Sequence, residues 1–247
     1  MIKFFRKIRY DLMGKNKTGK YFKYAIGEII LVVIGILIAL SINNWNEKEK
    51  SRDSEKLLLT SLKEEFNFNL IQLKQTKNQI DNSTGQLVKL INLFGTKTDT
   101  LGIDYLNKLI NDGLWGPMLK SNQDIFNSIY DNGKMDLVSN PELRKMLLAW
   151  GSQLEHFEHT QKNMSINLNR NVLPKMEKLI SLRNSDNFGI VKGVEGGSKI
   201  MTDNRVILSN LEAENVFFDH VWELENVASL YPSLSIAIEE IIIQLEK

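Results

Sequence analysis

Cysteine is absent from this 247-residue chain, and proline (4 residues) and histidine (3 residues) are scarce. Without cysteine the protein cannot form disulfides, use a thiolate nucleophile or bind a metal through sulfur. So few prolines, together with 43% hydrophobic residues, indicate an ordered, helix-rich chain and not a disordered stalk. What the chain does have is one long apolar run near its N-terminus.

The apolar run covers residues 25–42, AIGEIILVVIGILIALSI, with Glu28 as its only charged residue. A helix needs about 20 apolar residues to cross the hydrocarbon core of a bilayer. Tyr24 and Trp45 flank the run, where aromatic side chains favour the two membrane interfaces. The sequence therefore predicts a single transmembrane helix at residues 24–44.

Charge is distributed unevenly about this run. Eight basic residues precede it: Lys3, Arg6, Lys7, Arg9, Lys15, Lys17, Lys20 and Lys23. With two acidic residues, the first 42 positions carry a net charge of +6, whereas 23 basic and 28 acidic residues give the rest −5. Because Lys and Arg accumulate on the cytoplasmic side, we expect a cytoplasmic N-terminus and residues 45–247 across the membrane. A cleaved signal peptide is the competing interpretation, but the run exceeds the usual length of roughly 7–15 residues.

Residues 1–23 form a basic segment with an amphipathic start. Much of MIKFFRKIRYDLM is basic, and one helical face is apolar, formed by Ile2, Phe5, Ile8 and Leu12. Such a helix is expected to lie in the membrane interface, where anionic headgroups attract its charges. The residues expected to contact the lipid bilayer are Lys3, Arg6, Lys7, Arg9, Lys20, Lys23 and Trp45. The positive-inside rule accounts for these charges, so no nucleic-acid partner is predicted.

Small residues interrupt the large side chains of the apolar run. Gly35 and Ala39 are four residues apart, and Gly27 lies two turns earlier on nearly the same face. Small residues at this spacing allow two membrane helices to approach closely. The pattern indicates a helix–helix contact at Gly27, Gly35 and Ala39, with another envelope protein or with a second copy of this chain.

Two stretches carry a resemblance to a known family. They are MIKFFRKIRYDLM followed by GKYFKYAIGEIILVVIGILIALSINNWNE, and IYDNGKMDLVSNPELRKMLLAW. They resemble the N-terminal signature and the second block of a large family of single-pass inner-membrane proteins from Bacteroidota, a domain of unknown function. Where that family has a tyrosine-rich end, this chain has Ala149, Trp150 and Gly151. The resemblance implies a diderm bacterium and a periplasmic location for the part after the span. It brings no known activity and no catalytic residues.

After the span the chain is predicted to continue as one long helix, at about residues 45–94. An apolar residue recurs every seven positions: Leu59, Phe66, Leu73, Ile80, Leu87 and Phe94. Polar residues occupy companion positions three residues on, namely Asn69, Thr76 and Ser83. The stripe suits either a coiled coil or one face of a bundle, and the polar companions favour the bundle.

The remaining pattern predicts shorter helices and one irregular region. A short helix is predicted at 103–110, and Ser121 is predicted to cap the helix after it. The next helix is predicted to begin at Pro141, capped by Ser139 or Asn140, and to kink at Pro174. Ser209 is predicted to cap a further helix, and the last helix is predicted to begin at Ser233. Residues 184–203 are glycine-rich and are predicted to form an exposed loop or a small hairpin around Glu195, Gly196 and Gly197. The fold class is therefore all-α, a transmembrane helix that continues into a long helix followed by a helical bundle.

The sequence contains no recognisable catalytic motif. His156 and His159 share one helix face, but the spacing of neither a zinc protease nor a di-iron bundle is present. We therefore predict no metal, no cofactor and no enzymatic activity. Six large aromatics could line a pocket, although core packing is the favoured interpretation: Trp115, Trp150, Phe217, Phe218, Trp222 and Tyr231.

The function expected from the sequence is binding. The chain is interpreted as a membrane-anchored periplasmic scaffold, adaptor or assembly factor of the cell envelope. The alternative is a ligand-sensing helical bundle, which would have to signal through a partner membrane protein because residues 1–23 cannot hold a signalling domain.

Overall fold

A helix of 74 residues, Thr18–Ile91, dominates the computed structural model. The structure describes residue 10 and residues 18–97, 100–185, 192–194, 196–201 and 203–247; for 18–21 and 24 it describes only the backbone. Within these ranges the chain is helical and contains no strand, which confirms the all-α prediction. The chain divides into two units, Met1–Leu57 and Leu58–Lys247.

The described helices are named in chain order. They are α1 (Thr18–Ile91), α2 (Ile103–Leu114), α3 (Asp124–Tyr130), α4 (Pro141–Asn167), α5 (Leu173–Leu179), α6 (Leu182–Ser185), α7 (Leu211–Ala228) and α8 (Tyr231–Leu245). Two 3-10 helices occur at Met135–Leu137 and Asn204–Ser209, and a π-helix at Leu168–Val172 joins α4 to α5. In the second unit, α4 packs against both α7 and α8.

The heptad stripe of α1 packs inside the second unit. Phe66, Leu73, Ile80 and Leu87 are buried, while Leu59 and Phe94 are partly buried against the same core. On the facing side α4 buries its own stripe of Leu143, Leu147, Trp150, Leu154 and Phe157. The Phe66 and Trp150 rings meet edge to face with centroids 5.5 Å apart. The stripe is therefore one face of a bundle, in which each such side chain contributes about 1.5–3 kcal/mol by burial.

The polar companion positions hold an irregular segment, residues 115–123, against α1. Asn69 accepts from the Asn122 N–H at 2.8 Å and donates to the Asn122 carbonyl at 2.6 Å. Ser83 donates to the Trp115 carbonyl at 3.4 Å. From α4, Gln161 accepts from the N–H of Leu119 at 2.7 Å. Buried peptide groups outside regular structure need such partners. The polar seam of α1, formed by Asn69, Thr76 and Ser83, therefore faces this segment, to which Asn69 and Ser83 bond, and does not face a second α1 helix.

Helix α3 begins at Asp124, and its first turn is capped from α1. Glu65 accepts from Ile125 N–H at 2.7 Å and from Phe126 N–H at 2.9 Å. The predicted cap by Ser121 is wrong, because the N-cap position is Gln123 and its side chain makes no capping bond. A carboxylate 60 residues away in sequence does the capping, which local sequence signals cannot reveal.

The helical path from Pro141 to Leu179 follows the prediction. Asn140 caps α4 by accepting from the N–H groups of Glu142 and Leu143. Pro174 does not end the path, since the π-helix Leu168–Val172 leads directly into α5. Proline removes an N–H from the helical ladder, and the wider π turn lies just before it.

The last two helices begin at other residues than expected. Asn210, and not Ser209, caps α7 by accepting from the Ala213 N–H at 3.0 Å. Helix α8 begins at Tyr231, because Pro232 fits the first helical turn, so the predicted start at Ser233 is wrong. Helix α2 extends to Leu114, beyond the predicted residue 110.

The region of residues 184–203 lies beside a buried amide. Asn204, the first residue of the 3-10 helix, donates to Asn107 Oδ1 of α2 at 2.9 Å and to Ser185 Oγ of α6 at 3.3 Å, and it accepts from the Ser181 N–H at 2.8 Å. These bonds tie the 3-10 helix to α2 and α6. After the end of α6 at Ser185, the described residues of the region form turns and bends and no strand. Of the predicted hairpin centre, Glu195 lies outside the described residues, and Gly196 and Gly197 form a bend.

Candidate functional site

The apolar part of α1 is exposed along its length. A window of mean hydropathy 2.8 at its start has none of its residues buried inside the structure. Among the described residues, this helix is long and apolar enough to cross a membrane. A second stretch, Leu211–Leu245, passes the same test at a mean hydropathy of 1.2, but its inward residues belong to the core of the second unit.

The predicted small-residue face is open. A Cβ atom built at Gly27 or Gly35 would meet no atom within 4 Å, and Ala39 is exposed. The three residues lie on one uninterrupted helix, with Gly35 and Ala39 one turn apart and Gly27 two turns before Gly35. The backbone of α1 is therefore accessible at the positions where the sequence predicts a helix–helix contact.

The predicted interfacial residues are only partly within the described chain. Lys3, Arg6, Lys7 and Arg9 lie outside it, as does the side chain of Lys20. Lys23 and Trp45 are exposed and bracket the apolar run. Their separation along the helix is about 33 Å at 1.5 Å per residue. This matches the thickness of a bilayer hydrocarbon core, about 30 Å.

The histidine pair lies on the outer surface of α4. His156 and His159 are exposed, and the His159 ring lies 3.3 Å from the side chain of Asn163. In the part of the chain that the structure describes, no group of three or more His, Asp or Glu side chains could hold a metal. The third histidine, His220, is fully buried and donates from Nε2 to the Leu114 carbonyl at 2.9 Å. Burial lowers the pKa of His220, which favours the neutral ring.

The six aromatic residues divide between core and surface. Trp150, Phe217 and Tyr231 are buried, and the Phe157 and Tyr231 rings meet edge to face at 5.2 Å. The favoured interpretation of core packing is wrong for Trp115, Phe218 and Trp222, which are 54%, 59% and 61% exposed. The error was unavoidable on α7, because aromatic residues occupy both its inward and its outward faces.

The outward face of α7 combines these aromatics with negative charge. Phe218 and Trp222 follow Leu211, which is 69% exposed, on one side of the helix. Helix α7 carries no Lys or Arg and five carboxylates: Glu212, Glu214, Asp219, Glu223 and Glu225. Burial raises the pKa of Glu223, and the nearby Asp219 raises it further. The outward face of α7 is therefore aromatic and anionic.

A cavity of about 350 Å³ adjoins this face. It lies between the π-helix, α5 and α7 and is lined by Asn171, Val172, Lys175, Leu211, Glu212, Asn215, Val216 and Asp219. Asn171 donates to Asn167 at 2.7 Å, and Asn167 donates to Asp219 at 2.9 Å. The π-helix thus places the amide of Asn171 at the cavity wall, and π-helices often occur at functional sites. Sequence patterns missed this cavity, because the change from α to π geometry leaves no periodic signature.

These features define a class: an all-α protein with a helix suited to crossing a membrane and a separate helical unit whose surface exposes aromatic residues. Residues 28–112 match the family described as "Family of unknown function (DUF6090)". The match covers most of the apolar run, the rest of α1 and most of α2, and it confirms the resemblance to a domain family of unknown function over those residues. No curated protein and no solved structure matches the chain.

Proposed function

We propose that this protein is a single-pass membrane protein that acts by binding, as a scaffold, adaptor or assembly factor of the cell envelope. The observation that carries the proposal is the course of α1. One helix contains an exposed apolar run and then contributes Phe66, Leu73, Ile80 and Leu87 to a folded core. In water such a run would expose a large apolar surface, whereas a bilayer would bury that surface away from water.

The proposed location is the bacterial inner membrane, with the N-terminus in the cytoplasm and the helical unit in the periplasm. The excess of Lys and Arg before the run supports this orientation through the positive-inside rule. The resemblance of the N-terminal sequence to inner-membrane proteins of Bacteroidota supports the periplasmic assignment. The +6 and −5 charges of the two parts agree with a basic cytoplasmic flank and a soluble, acidic periplasmic part.

Two exposed surfaces support binding as the activity. One is the open face at Gly35 and Ala39, where a second membrane helix could approach the backbone. The other is the outward face of α7, because exposed aromatic residues are the commonest anchors of protein interfaces.

The proposal is tested by mild crosslinking in native membranes, affinity capture of the full-length protein and mass spectrometry. We expect one dominant envelope partner. Gly35→Leu with Ala39→Leu should remove that partner if the contact lies in the membrane. A matched control, Val33→Leu with Leu37→Phe, adds volume on the opposite helix face and should retain it. Recovery of no partner, or of this chain alone, would contradict the adaptor function.

The cavity beside the π-helix favours a second candidate, a ligand-sensing bundle. Its wall carries an ammonium group from Lys175 and carboxylates from Glu212 and Asp219. A zwitterionic solute such as an amino acid would find a partner for each of its charges there. A thermal-shift screen of small zwitterions against the full-length protein tests this candidate: a shift that Lys175→Met abolishes supports it, and unchanged midpoints throughout exclude it.

A further inference from the structure

We propose that the outward face of α7 docks a basic amphipathic helix of a partner protein. This rests on the proposed function and specifies the surface and the chemistry of the partner. At 100° per residue, Leu211, Phe218 and Trp222 fall within about 40° of one another, so they form one stripe on the helix. All three are more than half exposed, whereas their neighbours Phe217, His220 and Leu224 are buried. Phe218 and Trp222, one turn apart, therefore form an exposed apolar pair beside a packed core, and Leu211 lies two turns before Phe218 with the exposed Asn215 between them.

Negative charge borders this stripe on both edges. Glu214 and Glu225 lie along one edge, and Glu212 and Asp219 lie along the other, where the cavity opens. The cation that faces α7 across the cavity is Lys175 of α5. A partner that covers the stripe must bring apolar side chains to its centre and positive charge to its rims. An amphipathic helix with Lys or Arg beside its apolar face has this arrangement.

The same charges disfavour other occupants. A second copy related by two-fold symmetry would place this face against itself and bring carboxylates together. Anionic lipid headgroups and nucleic acids would be repelled by the carboxylates on the two edges. A basic helix gains attraction at each of those positions, and an Arg or Lys over Trp222 adds a cation–π contact.

The cavity supplies a position for one anchoring side chain. Its volume of about 350 Å³ exceeds that of a single side chain, and Glu212 and Asp219 line it together with two amides, Asn171 and Asn215. Asp219 already accepts from Asn167 at 2.9 Å, so its carboxylate is held at the cavity wall. A Lys or Arg of the partner can enter here and bind a carboxylate while its helix lies on Phe218 and Trp222.

The test uses the full-length protein in phosphatidylcholine nanodiscs and two synthetic 18-residue helical probes. One probe has Leu on one face and Lys on the other, and the second has Glu at each Lys position. Binding is measured by fluorescence anisotropy at two salt concentrations. We expect the Lys probe to bind, to weaken at the higher salt concentration, and to bind at least tenfold more tightly than the Glu probe.

Variants locate the binding surface. Phe218→Ala with Trp222→Ala should weaken the Lys probe at least tenfold, and Glu214→Gln with Glu225→Gln should weaken it severalfold and reduce the salt dependence. Two controls should leave binding unchanged: Ile236→Ala with Ile243→Ala, which removes an equally exposed apolar pair from α8, and Glu155→Gln with Glu158→Gln, which removes two charges from α4. All these positions are partly or fully exposed, and circular dichroism verifies that each variant is folded.

Three results would overturn the assignment. The two probes could bind equally tightly, the α8 control could lose as much affinity for the Lys probe as the α7 variant does, or the protein could self-associate in a way that Trp222→Ala abolishes. Crosslinking in membranes separates this failure from that of the proposed function. If the wild type captures an envelope partner and the Phe218→Ala, Trp222→Ala variant retains it, only the α7 surface is wrong. If the wild type captures no partner, the adaptor function itself fails.

Discussion

At the scale of single residues, two glycines, one in α1 and one in α2, differ in the space around them. A Cβ atom at Gly113 of α2 would lie 2.7 Å from the side chain of Leu87 and 3.2 Å from its backbone nitrogen. A Cβ atom at Gly85 of α1, two residues before Leu87, would meet nothing within 4 Å. Gly113 therefore permits the close approach of two helices, whereas Gly85 does not serve packing.

The two glycines make a matched pair of variants. Gly113→Ala should lower the free energy of unfolding by about 1–3 kcal/mol, because the added methyl group overlaps Leu87. Gly85→Ala should raise it by up to about 1 kcal/mol, because alanine favours the helix over glycine. Urea unfolding in detergent, followed by circular dichroism, measures both. Equal effects of the two changes would show that α2 and α1 do not meet at Leu87.

Glu65 is a buried carboxyl whose hydrogen bonds and burial shift its pKa in opposite directions. Burial raises its pKa, the N–H groups of Ile125 and Phe126 lower it, and Asp124 raises it; the net direction is upward from 4.5. Ionisation therefore costs more in the folded state than in the unfolded state. The contribution of Glu65 to stability is complete below pH 4.5 and is lost as the pH rises through the elevated pKa.

This predicts a pH-dependent difference between the wild type and Glu65→Gln. At pH 4 the wild-type carboxyl is protonated and, like the glutamine amide, offers one good acceptor oxygen, so the two proteins should differ by less than about 1 kcal/mol. As the pH rises above 4.5, the wild type should lose stability relative to the variant, since only the wild type must ionise. Urea unfolding at a series of pH values checks this. A wild type that gains stability relative to the variant as the pH rises would mean that the N–H groups outweigh burial.

At the scale of elements, the segment of residues 115–123 has no regular secondary structure and yet packs against the core. Its peptide groups bond to side chains on three helices: Asn69 and Ser83 of α1, Gln161 of α4, and His220 of α7, which binds the preceding carbonyl of Leu114. These side chains replace the ladder that a strand or helix would provide. The segment should therefore depend on them for its order.

Asn69→Ala and Gln161→Ala should each destabilise the protein by about 1–3 kcal/mol, because peptide groups of Asn122 and Leu119 lose their partners. Amide hydrogen exchange should increase most at residues 115–126. Thr76→Val is the matched control, since Thr76 is also a buried polar position of the seam but donates only to the Gln72 carbonyl of its own helix. Exchange that increases evenly across the chain would contradict a local role for the two amides.

At the scale of the whole molecule, the proposed topology places the two ends of α1 in different compartments. The absence of cysteine makes this measurable, because any introduced cysteine is the only thiol in the chain. Lys162→Cys, on the exposed surface of α4, should react with a membrane-impermeant maleimide in cells with a permeabilised outer membrane. Lys7→Cys should react only after the inner membrane is disrupted. The reverse pattern would overturn the orientation, and release of α4 from the membrane fraction would indicate cleavage.

Much of the fold follows from periodic patterns in the sequence. The long helix α1 and the apolar stripe of α4 follow from periodicity and were predicted correctly, and of the two predicted cap candidates, Ser139 and Asn140, the structure has Asn140. The Ser121 and Ser209 caps and the start at Ser233 were wrong, because polar residues at neighbouring positions compete for a cap. The Asn210 cap is local, three residues from Ala213, whereas the Glu65 cap comes from a helix 60 residues away and follows only from long-range packing.

The sequence by itself determined the all-α class, the exposed apolar run and its charge asymmetry, since hydropathy and net charge are sums over neighbouring residues. The tertiary structure alone decided which aromatics are buried, why Asn69 and Ser83 interrupt the heptads, and that a cavity forms beside the π-helix. The physical reason is that burial, hydrogen-bond partners and empty volume depend on helices that meet in space. Phe217 and Phe218 are adjacent and chemically identical, yet one is buried and the other exposed, because the axial rotation of α7 is set by its packing against α4.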